Sequence, residues 1–287
     1  NLITPKVPII NQSLITVEKS QEVLDALKKV AQKGFSPSSL TNYIRNPIDF
    51  YYQKILNIKE YDEAEETVAA NTLGTVIHNT LEDFYKPLVT MFLTIENIKE
   101  MKLHLEKTVK DHFKDVYKEG DITKGKNLII FEIAKRYVSN FLDLEITDLQ
   151  KGNKIKILDV EADTSVEIEI PELDFPIRIK GKIDRVDEYN GVIRIVDYKT
   201  GKVEQNETEI VNWGDIVSDY KKYSKSFQIL SYTYMMHQSG NIKLPIEAGI
   251  ISFKNLKSGF LKFAKKDKSG AYAKKEVLIT GETLNHF

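Results

Sequence analysis

Residues 181–201 read GKIDRVDEYNGVIRIVDYKTG and decide the fold, because two alternating strand-like segments flank Asn190-Gly191. Asn-Gly between such segments is the strongest short-range signal for a β-hairpin with a two-residue type I′ turn. A turn of this length also fixes the register of the two strands. The sequence therefore predicts a hairpin in which Tyr189 lies opposite Val192.

The same register places two carboxylates opposite each other. Asp187 would face Arg194, a favourable pair, whereas Asp184 would face Asp197. Like charges directly across a strand pair are destabilising, so two facing carboxylates need a cation. Lys199 follows Asp197 by two residues, on the same face of the strand. Two carboxylates and a lysine on one face suit a divalent-metal site that hydrolyses phosphodiesters. A solvent-facing hairpin with charges on its wet side explains the pattern about equally well.

These residues also carry a resemblance to a known family. Gly-x-x-Asp, a short hairpin and Asp-Tyr-Lys-Thr-Gly resemble the PD-(D/E)XK nuclease superfamily, and within it the RecB/AddB-like branch. Three further segments are similar to motifs of that branch, in the same order along the chain. They are residues 35–52 (FSPSSLTNYIRNPIDFYY), 74–82 (GTVIHNTLE) and 227–232 (FQILSY). Four ordered motifs are far more specific than any one alone.

The order of the predicted elements gives the fold class. Helical spacing up to about residue 150 is followed by three alternating strands, a helix and further strands. This order predicts an α/β fold with a mixed central β-sheet flanked by helices, and the resemblance implies the same restriction-endonuclease-like core. We expect residues 1–34 to form a linker and a helix, and residues 35–287 to form the nuclease domain. Residues 92–150 are expected to be a helical insertion within that domain.

The resemblance implies a metal-dependent active site around the hairpin. It makes Asp184, Asp197 and Lys199 catalytic, with the lysine holding the scissile phosphate or polarising the attacking water. It makes His78, Asp184, Asp197 and the backbone carbonyl of Tyr198 the ligands of Mg²⁺ or Mn²⁺. A lone histidine in an apolar helix is more often a core residue, and the matching Gly-Thr-x-x-His pattern reverses that expectation.

Further side chains are candidates for substrate contact. Gln228 and Tyr232 lie one turn apart on a predicted helix, and the resemblance implies that they contact the DNA backbone. Ordinary packing explains Tyr232 about equally well. Asn42 and Arg45 are expected to contact phosphate. Glu161, on the preceding strand, is a candidate outer metal contact or simply an exposed strand residue.

The implied function is that of a metal-dependent DNA nuclease, an exonuclease acting on single-stranded DNA from a helicase or helicase-like partner. The chain begins at Asn1 rather than Met, which predicts a fragment or a processed chain, and the resemblance implies the C-terminal nuclease part of a longer helicase–nuclease or DNA-repair protein. Two alternatives stay open. One is a retired nuclease fold that grips DNA, and the other is a regulatory domain whose helical insertion docks a protein.

Composition narrows the class of protein. The 287 residues include no cysteine, which excludes disulfides and thiolate metal sites. This departs from the four-cysteine iron–sulfur cluster found in several members of the resembling branch. No segment approaches the ~18 apolar residues of a membrane span, and we expect a cytoplasmic protein without membrane contact.

The charge distribution restricts where nucleic acid could bind. The formal net charge is −1, so a basic surface must be local. Residues 249–287 carry eight lysines against three carboxylates, a net charge of +5, and Lys221, Lys222 and Lys225 form a second cluster. We expect both to contribute to DNA binding, although a solvated face is the simpler explanation for any single lysine. The acidic run 60–66 is expected to avoid nucleic acid.

Overall fold

The computed structural model describes residues 15–58, 70–117, 121–270 and 272–287. Its strands, in chain order, are β1 (Ile155–Ile168), β2 (Ile177–Tyr189), β3 (Val192–Lys199), β4 (Glu209–Ile210), β5 (Glu247–Ser252), β6 (Phe260–Lys262), β7 (Ala264–Lys266) and β8 (Lys275–Glu276). Five of them form a central sheet in the order β1-β2-β3-β5-β6, and β4, β7 and β8 form a small second sheet. Neighbours in the central sheet are antiparallel except β3 and β5, which are parallel. The sheet is mixed, as the sequence predicts.

The longer α-helices lie where the sequence indicates, whereas the short helices Asp215–Ser218 and Gly281–His286 are not predicted by it. They are α1 (Gln21–Lys33), α2 (Pro37–Arg45), α3 (Pro47–Phe50), α4 (Ala70–Tyr85), α5 (Ile95–Val116), α6 (Gly125–Gln150), α7 (Asp215–Ser218), α8 (Tyr220–Gln238) and α9 (Gly281–His286). Ser36 caps α2 by accepting the amide of Ser39 at 3.1 Å, with Pro37 at the first helical position. This is the N-terminal pattern that Ser-Pro predicts. The α/β fold with flanking helices is thus confirmed.

The hairpin has the predicted turn and register. Asn190 and Gly191 both have positive φ, 50° and 87°, as a type I′ turn requires. Tyr189 pairs with Val192 and Asp187 with Arg194. The ladder continues to Arg185 and Val196 and stops there. The two predicted catalytic aspartates therefore lie immediately beyond the last paired residues.

Two apolar cores fill the space on the two sides of the sheet. One joins α4, α5 and α6 to Val196 and Tyr198 of β3. The other joins α8 to residues such as Ile183 and Ile195. The rings of Phe141 and Tyr198 meet edge to face at 5.5 Å, so the predicted insertion 92–150 packs into the main core beside β3. Its status as an insertion stays a prediction.

The C-terminal strands differ from the sequence expectation. A single strand over about 259–264 is predicted, but β6 ends at Lys262 and β7 belongs to the second sheet. Gln205 and Thr208 donate hydrogen bonds to the Lys262 carbonyl at 2.7 and 3.1 Å, and Ala264 donates its amide to the carbonyl of Thr208. These contacts turn the chain away from the central sheet, and they come from residues more than fifty positions earlier.

Two other expectations concern segments that lie partly or wholly outside the described residues. The acidic run 60–66 and residues 1–14 of the predicted linker lie outside the described residues. Within the described ranges, no helix is both long enough and apolar enough to cross a membrane.

Candidate active site

Three ligand-type side chains converge at the end of the hairpin. Nδ1 of His78, on α4, lies 3.1 Å from Oδ1 of Asp184 on β2 and 3.9 Å from Oε1 of Glu161 on β1. One ligand atom from each of the three residues lies within 4.8 Å of the other two. The structure thus brings together two predicted metal ligands, His78 and Asp184, with Glu161, which the sequence offered only as an outer contact.

A break in the strand alternation creates this cluster. Val160 pairs with Arg185 and Ala162 with Ile183, so Glu161 lies across from Asp184. Ile183 packs in the core with α8, yet Arg185, two residues on, contacts Glu145 of α6. Regular alternation would put both on one face. Glu161 has a φ of 51°, which is rare and unfavourable for a residue with a Cβ and commonest at functional sites.

The hairpin aspartates are held by the backbone and by the predicted lysine. Oδ2 of Asp184 accepts the backbone amide of Tyr198 at 2.6 Å. Lys199 donates a hydrogen bond to Oδ1 of Asp197 at 3.1 Å, and its Nζ also lies 2.8 Å from Oδ2. Asp197 is buried, whereas the Lys199 side chain keeps 31% of its surface exposed. The Asp197–Lys199 pair therefore lies on one face of β3, as the sequence predicts.

The protein itself supplies positive charge around these carboxylates. Burial disfavours protonation of His78, but hydrogen bonds to Asp184 and Glu161 and the charges of Asp184 and Asp197 raise its pKa to about 10. Lys182 contacts Oε2 of Glu161 at 2.9 Å. Burial, together with the charge of Asp184, raises the pKa of Asp197 against the opposing effect of Lys199. The negative charge of these carboxylates is thus balanced by His78, Lys182 and Lys199, of which only His78 comes from outside the hairpin segment.

The donor set fits a divalent metal. One imidazole nitrogen and several carboxylate oxygens suit Mg²⁺ or Mn²⁺, and the imidazole shifts preference toward Mn²⁺. Apart from the nearby Lys199 ammonium, Oδ2 of the buried Asp197 has no hydrogen-bonding partner within the described chain, so it can still accept a ligand. Only a neutral imidazole binds metal, so ligation by His78 would release its proton.

Helix α8 closes the site from the other side. Nε2 of Gln228 donates to the Tyr232 hydroxyl at 2.8 Å. Burial raises the pKa of Tyr232, and so do the charges of Asp197, Asp184 and Glu161. A Cβ on Gly181 would lie 2.8 Å from Cε1 of Tyr232, so glycine at the start of the Gly-x-x-Asp motif permits this helix to approach the strand.

The other predicted substrate contacts lie on α2. Arg45 forms an exposed ion pair with Asp49 at 3.1 Å, and Asn42 donates to Oε1 of Gln53 at 3.2 Å. α2 packs against α8, the helix that carries Gln228. Their contact with phosphate stays a prediction.

Internal ion pairs weaken both predicted basic clusters. Lys225 binds Glu207 at 2.5 Å, and Lys262 binds Glu247 at 2.6 Å. Lys266 and Lys275 both bind Glu209, at 3.2 and 2.6 Å. A lysine held by a carboxylate offers little charge to a phosphate, so the +5 segment is less basic in the fold than in the sequence.

A buried charged network lies directly behind the hairpin. Arg185 has a relative exposure of 1%, and its Nη1 lies 2.7 Å from Oε1 of Glu145 while its Nε lies 2.8 Å from Oδ2 of Asp187. Arg194 binds both oxygens of Asp187 at 2.8 and 2.9 Å. Glu145 also accepts the Tyr85 hydroxyl. The sequence indicated only the Asp187–Arg194 part, since nothing local pairs β2 with α6.

We expect this network to make the protein acid-labile through Asp187. Burial opposes ionisation, but the charges of Arg185 and Arg194 and their hydrogen bonds lower the pKa of this carboxyl. Its stabilising effect is full above the unfolded value of about 3.9 and is lost as pH falls through the folded pKa. Urea unfolding below about pH 4 should therefore show a shallower pH slope for Asp187→Asn than for the wild type. Asp174→Asn, which alters an exposed ion pair with Lys28, should keep the wild-type slope; equal slopes in all three proteins would contradict the assignment.

Comparison with known proteins agrees with the geometry. A protein of Rickettsia bellii described as uncharacterized is 25% identical over 261 residues, covering 85% of this chain and 29% of that protein. An ATP-dependent helicase/deoxyribonuclease component from Clostridioides difficile is 29% identical over 196 residues, covering 62% of this chain and 16% of that protein. The chain thus spans less than a third of the length of these relatives.

A solved structure and a family model were also matched. The structure is that of a candidate exonuclease from Eubacterium rectale, 12% identical, with a TM-score of 0.43 over 94% of this chain and 81% of that one. The model describes the PD-(D/E)XK nuclease superfamily, and it matches residues 34–284. Since this match spans most of the sequence and includes every residue of the site described above, the chain belongs to the PD-(D/E)XK nuclease superfamily.

Proposed function

We propose that this chain is a metal-dependent deoxyribonuclease that hydrolyses phosphodiester bonds, acting as an exonuclease on single-stranded DNA. The observation that carries the proposal is the convergence of His78, Glu161 and Asp184 beside the Asp197–Lys199 pair. A retired nuclease would have no need to keep a buried carboxylate pair, a lysine and a histidine together, because taking these charged groups out of water costs stability.

Each side chain of the site has a proposed role. His78, Glu161, Asp184, Asp197 and the carbonyl of Tyr198 would hold Mg²⁺ or Mn²⁺. The bound metal would supply charge neutralisation at the phosphate and a more acidic water.

The remaining groups would act on the substrate directly. Lys199, partly exposed and anchored on Asp197, would hold the scissile phosphate or orient the attacking water. Gln228 and the Tyr232 hydroxyl, already joined by a hydrogen bond, would contact the neighbouring backbone. Asn42 and Arg45 on α2 would bind phosphates further along the strand.

The chain is proposed to work as part of a longer protein with a helicase or helicase-like partner. The support is its similarity to a protein named as a helicase/deoxyribonuclease component, of which it matches 16%. A motor that separates strands would supply single-stranded DNA to the site.

A cleavage assay tests the proposed activity. Single- and double-stranded DNA, labelled at either end, is incubated with Mg²⁺, with Mn²⁺ or with chelator. We expect stepwise shortening of the single strand with metal only, and none with Asp184→Asn. Metal-independent cleavage, or cleavage that survives in Asp184→Asn, would refute the assignment; DNA binding without any cleavage would favour the retired-nuclease alternative.

Metal binding should also be visible without activity. A ligand that binds only the native state stabilises it by RT ln(1 + [L]/Kd), about 2.7 kcal/mol at a hundredfold excess over Kd. Mn²⁺ should therefore raise the melting temperature of the wild type, and the rise should be lost in His78→Ala and Asp184→Asn. His104→Ala, on the exposed face of α5, serves as the control and should respond like the wild type. An undiminished shift in His78→Ala would show that this histidine is not a ligand.

A further inference from the structure

A basic cavity of about 630 Å³ lies between the end of α1, the start of α2 and β2. Its charged lining residues are three lysines, Lys33, Lys54 and Lys180, and no carboxylate of the described chain lines it. Its other polar lining side chains are uncharged: Ser36, Ser39, Gln53 and Asn57. We call this cavity the lysine groove.

The three lysines of the groove carry charge that the described chain does not neutralise. None of them forms an ion pair with a described aspartate or glutamate, in contrast to Lys225 and Lys262 elsewhere. Cations that line a concave surface focus their potential and concentrate anions there. The groove therefore has the electrostatics of an anion-binding surface.

The backbone holds Lys180 in place. Phe35 donates its amide to the Arg178 carbonyl at 2.9 Å, and Lys180 donates its own to the Phe35 carbonyl at 2.8 Å. Gly34, with a φ of 106°, lies under the lysine stem, because a Cβ there would be 3.0 Å from Cδ of Lys180. The direction of the Lys180 side chain is thus set by the packing of α1 against β2.

Strand β2 links the groove to the candidate active site, since it carries Lys180 and, further along, Lys182 and Asp184. Lys180 and Lys182 point to the same face of β2, roughly 7 Å apart at two strand residues. Lys182 contacts Glu161 at 2.9 Å. Lys180 is therefore the next cation along the strand after the one that touches a proposed metal ligand.

Three cationic residues alternate along β2 from Arg178 to Lys182, and Lys180 is the one that has no carboxylate opposite it on β1. Arg178 pairs with Glu167 and Lys182 with Asp163, whereas Lys180 pairs with Ser165. Its charge thus has no partner across the strand.

We propose that the lysine groove binds the phosphates of a single nucleic-acid strand adjacent to the scissile bond; this inference rests on the proposed nuclease function. Lysines act as point charges on phosphate and carry no base information, so the contact should be independent of sequence. A flexible single strand can enter a concave cavity, whereas a duplex is stiff over this length and would meet only the rim.

The test measures binding under conditions that prevent cleavage. A fluorescent oligothymidylate is titrated with the full chain in chelator over a series of salt concentrations. The groove variant is Lys33→Gln/Lys54→Gln/Lys180→Gln. The control is Lys99→Gln/Lys107→Gln/Lys110→Gln, which removes three exposed lysines of α5 that likewise lack a described ion pair.

The wild-type affinity should fall with salt by a slope of about −0.7 per neutralised phosphate. The slope of the groove variant should be less negative by about 2, because three phosphate contacts are removed. The slope of the control should equal that of the wild type. In cleavage assays the groove variant should raise KM with kcat unchanged, because uniform binding is removed. If the triple variant melts at a lower temperature than the wild type, the three single variants are measured in its place. Each single variant should make the slope less negative by about 0.7.

An unchanged slope in the groove variant, or equal losses in both triple variants, would overturn the inference. A similar slope change with a duplex probe would overturn its single-strand part. A wild type that binds but never cleaves would refute the proposed nuclease function, and the slopes would still decide whether the groove binds the strand.

Discussion

Replacement of Lys199 by alanine is expected to slow metal-dependent cleavage by about 10²–10³-fold, the loss typical when one group that stabilises developing charge is removed. Nζ of Lys199 is anchored on Asp197 at 2.8 Å yet stays partly exposed, so it can reach a phosphate at the metal site. Single-turnover kinetics with saturating DNA measure this step, and the DNA affinity should stay close to that of the wild type because the contact matters in the transition state.

Lys202→Ala is the matched control for Lys199→Ala. Lys202 lies three residues further along and forms an exposed ion pair with Glu204 at 2.5 Å. This variant should cleave at the wild-type rate. Since Lys199 also contacts the buried Asp197, the melting temperature of each variant is recorded and the kinetics are measured well below it. Residual cleavage within tenfold of the wild type in Lys199→Ala would remove this lysine from the chemistry.

Replacement of Glu145 by alanine is expected to cost about 3–5 kcal/mol of unfolding free energy, as for other buried ion pairs that lose one partner. Glu145 is buried between Arg185 and the Tyr85 hydroxyl, with Nη1 of Arg185 at 2.7 Å. Its loss leaves the buried guanidinium with one carboxylate fewer. Urea unfolding measures the change, and Glu145→Gln, which keeps the side-chain volume and one of the two acceptor oxygens, should lose less.

Asp143→Ala provides the comparison on the same helix. Asp143 binds Lys102 at 2.5 Å, but its side chain is 55% exposed, and exposed pairs contribute about 0–1 kcal/mol. If the Glu145 and Asp143 variants lose the same stability, the network behind the hairpin does not hold α6 against the sheet.

The sequence was sufficient where a structure depends on residues close together in the chain. The Asn190-Gly191 turn needs only local backbone preferences, so the register of Asp187 with Arg194 could be predicted and is confirmed. The cap at Ser36 and the bounds of the long helices follow from capping and periodicity in the same way. The family could also be identified from four motifs and is shown by the family match.

The candidate site was only partly predictable. His78, Asp184, Asp197 and Lys199 were indicated by motif, and the structure places the first two in contact and the last two in contact. Glu161 was undervalued, because its position across from Asp184 depends on the pairing of β1 with β2. The connection between those strands runs through residues 169–176, which is too long for a turn to fix the register, and the ladder shifts between Ile157 and Asp159.

The sequence by itself therefore determined the hairpin, the order of elements and the residue types of the site. Only the tertiary structure decided which charges meet between elements distant in the chain. Arg185 reaches Glu145 across forty positions, and Lys225 is neutralised by Glu207, whereas no carboxylate of the described chain pairs with the lysines of the groove. The physical reason is that turns and caps depend on the neighbouring backbone, whereas the charge that a side chain offers depends on burial and on partners brought near by packing.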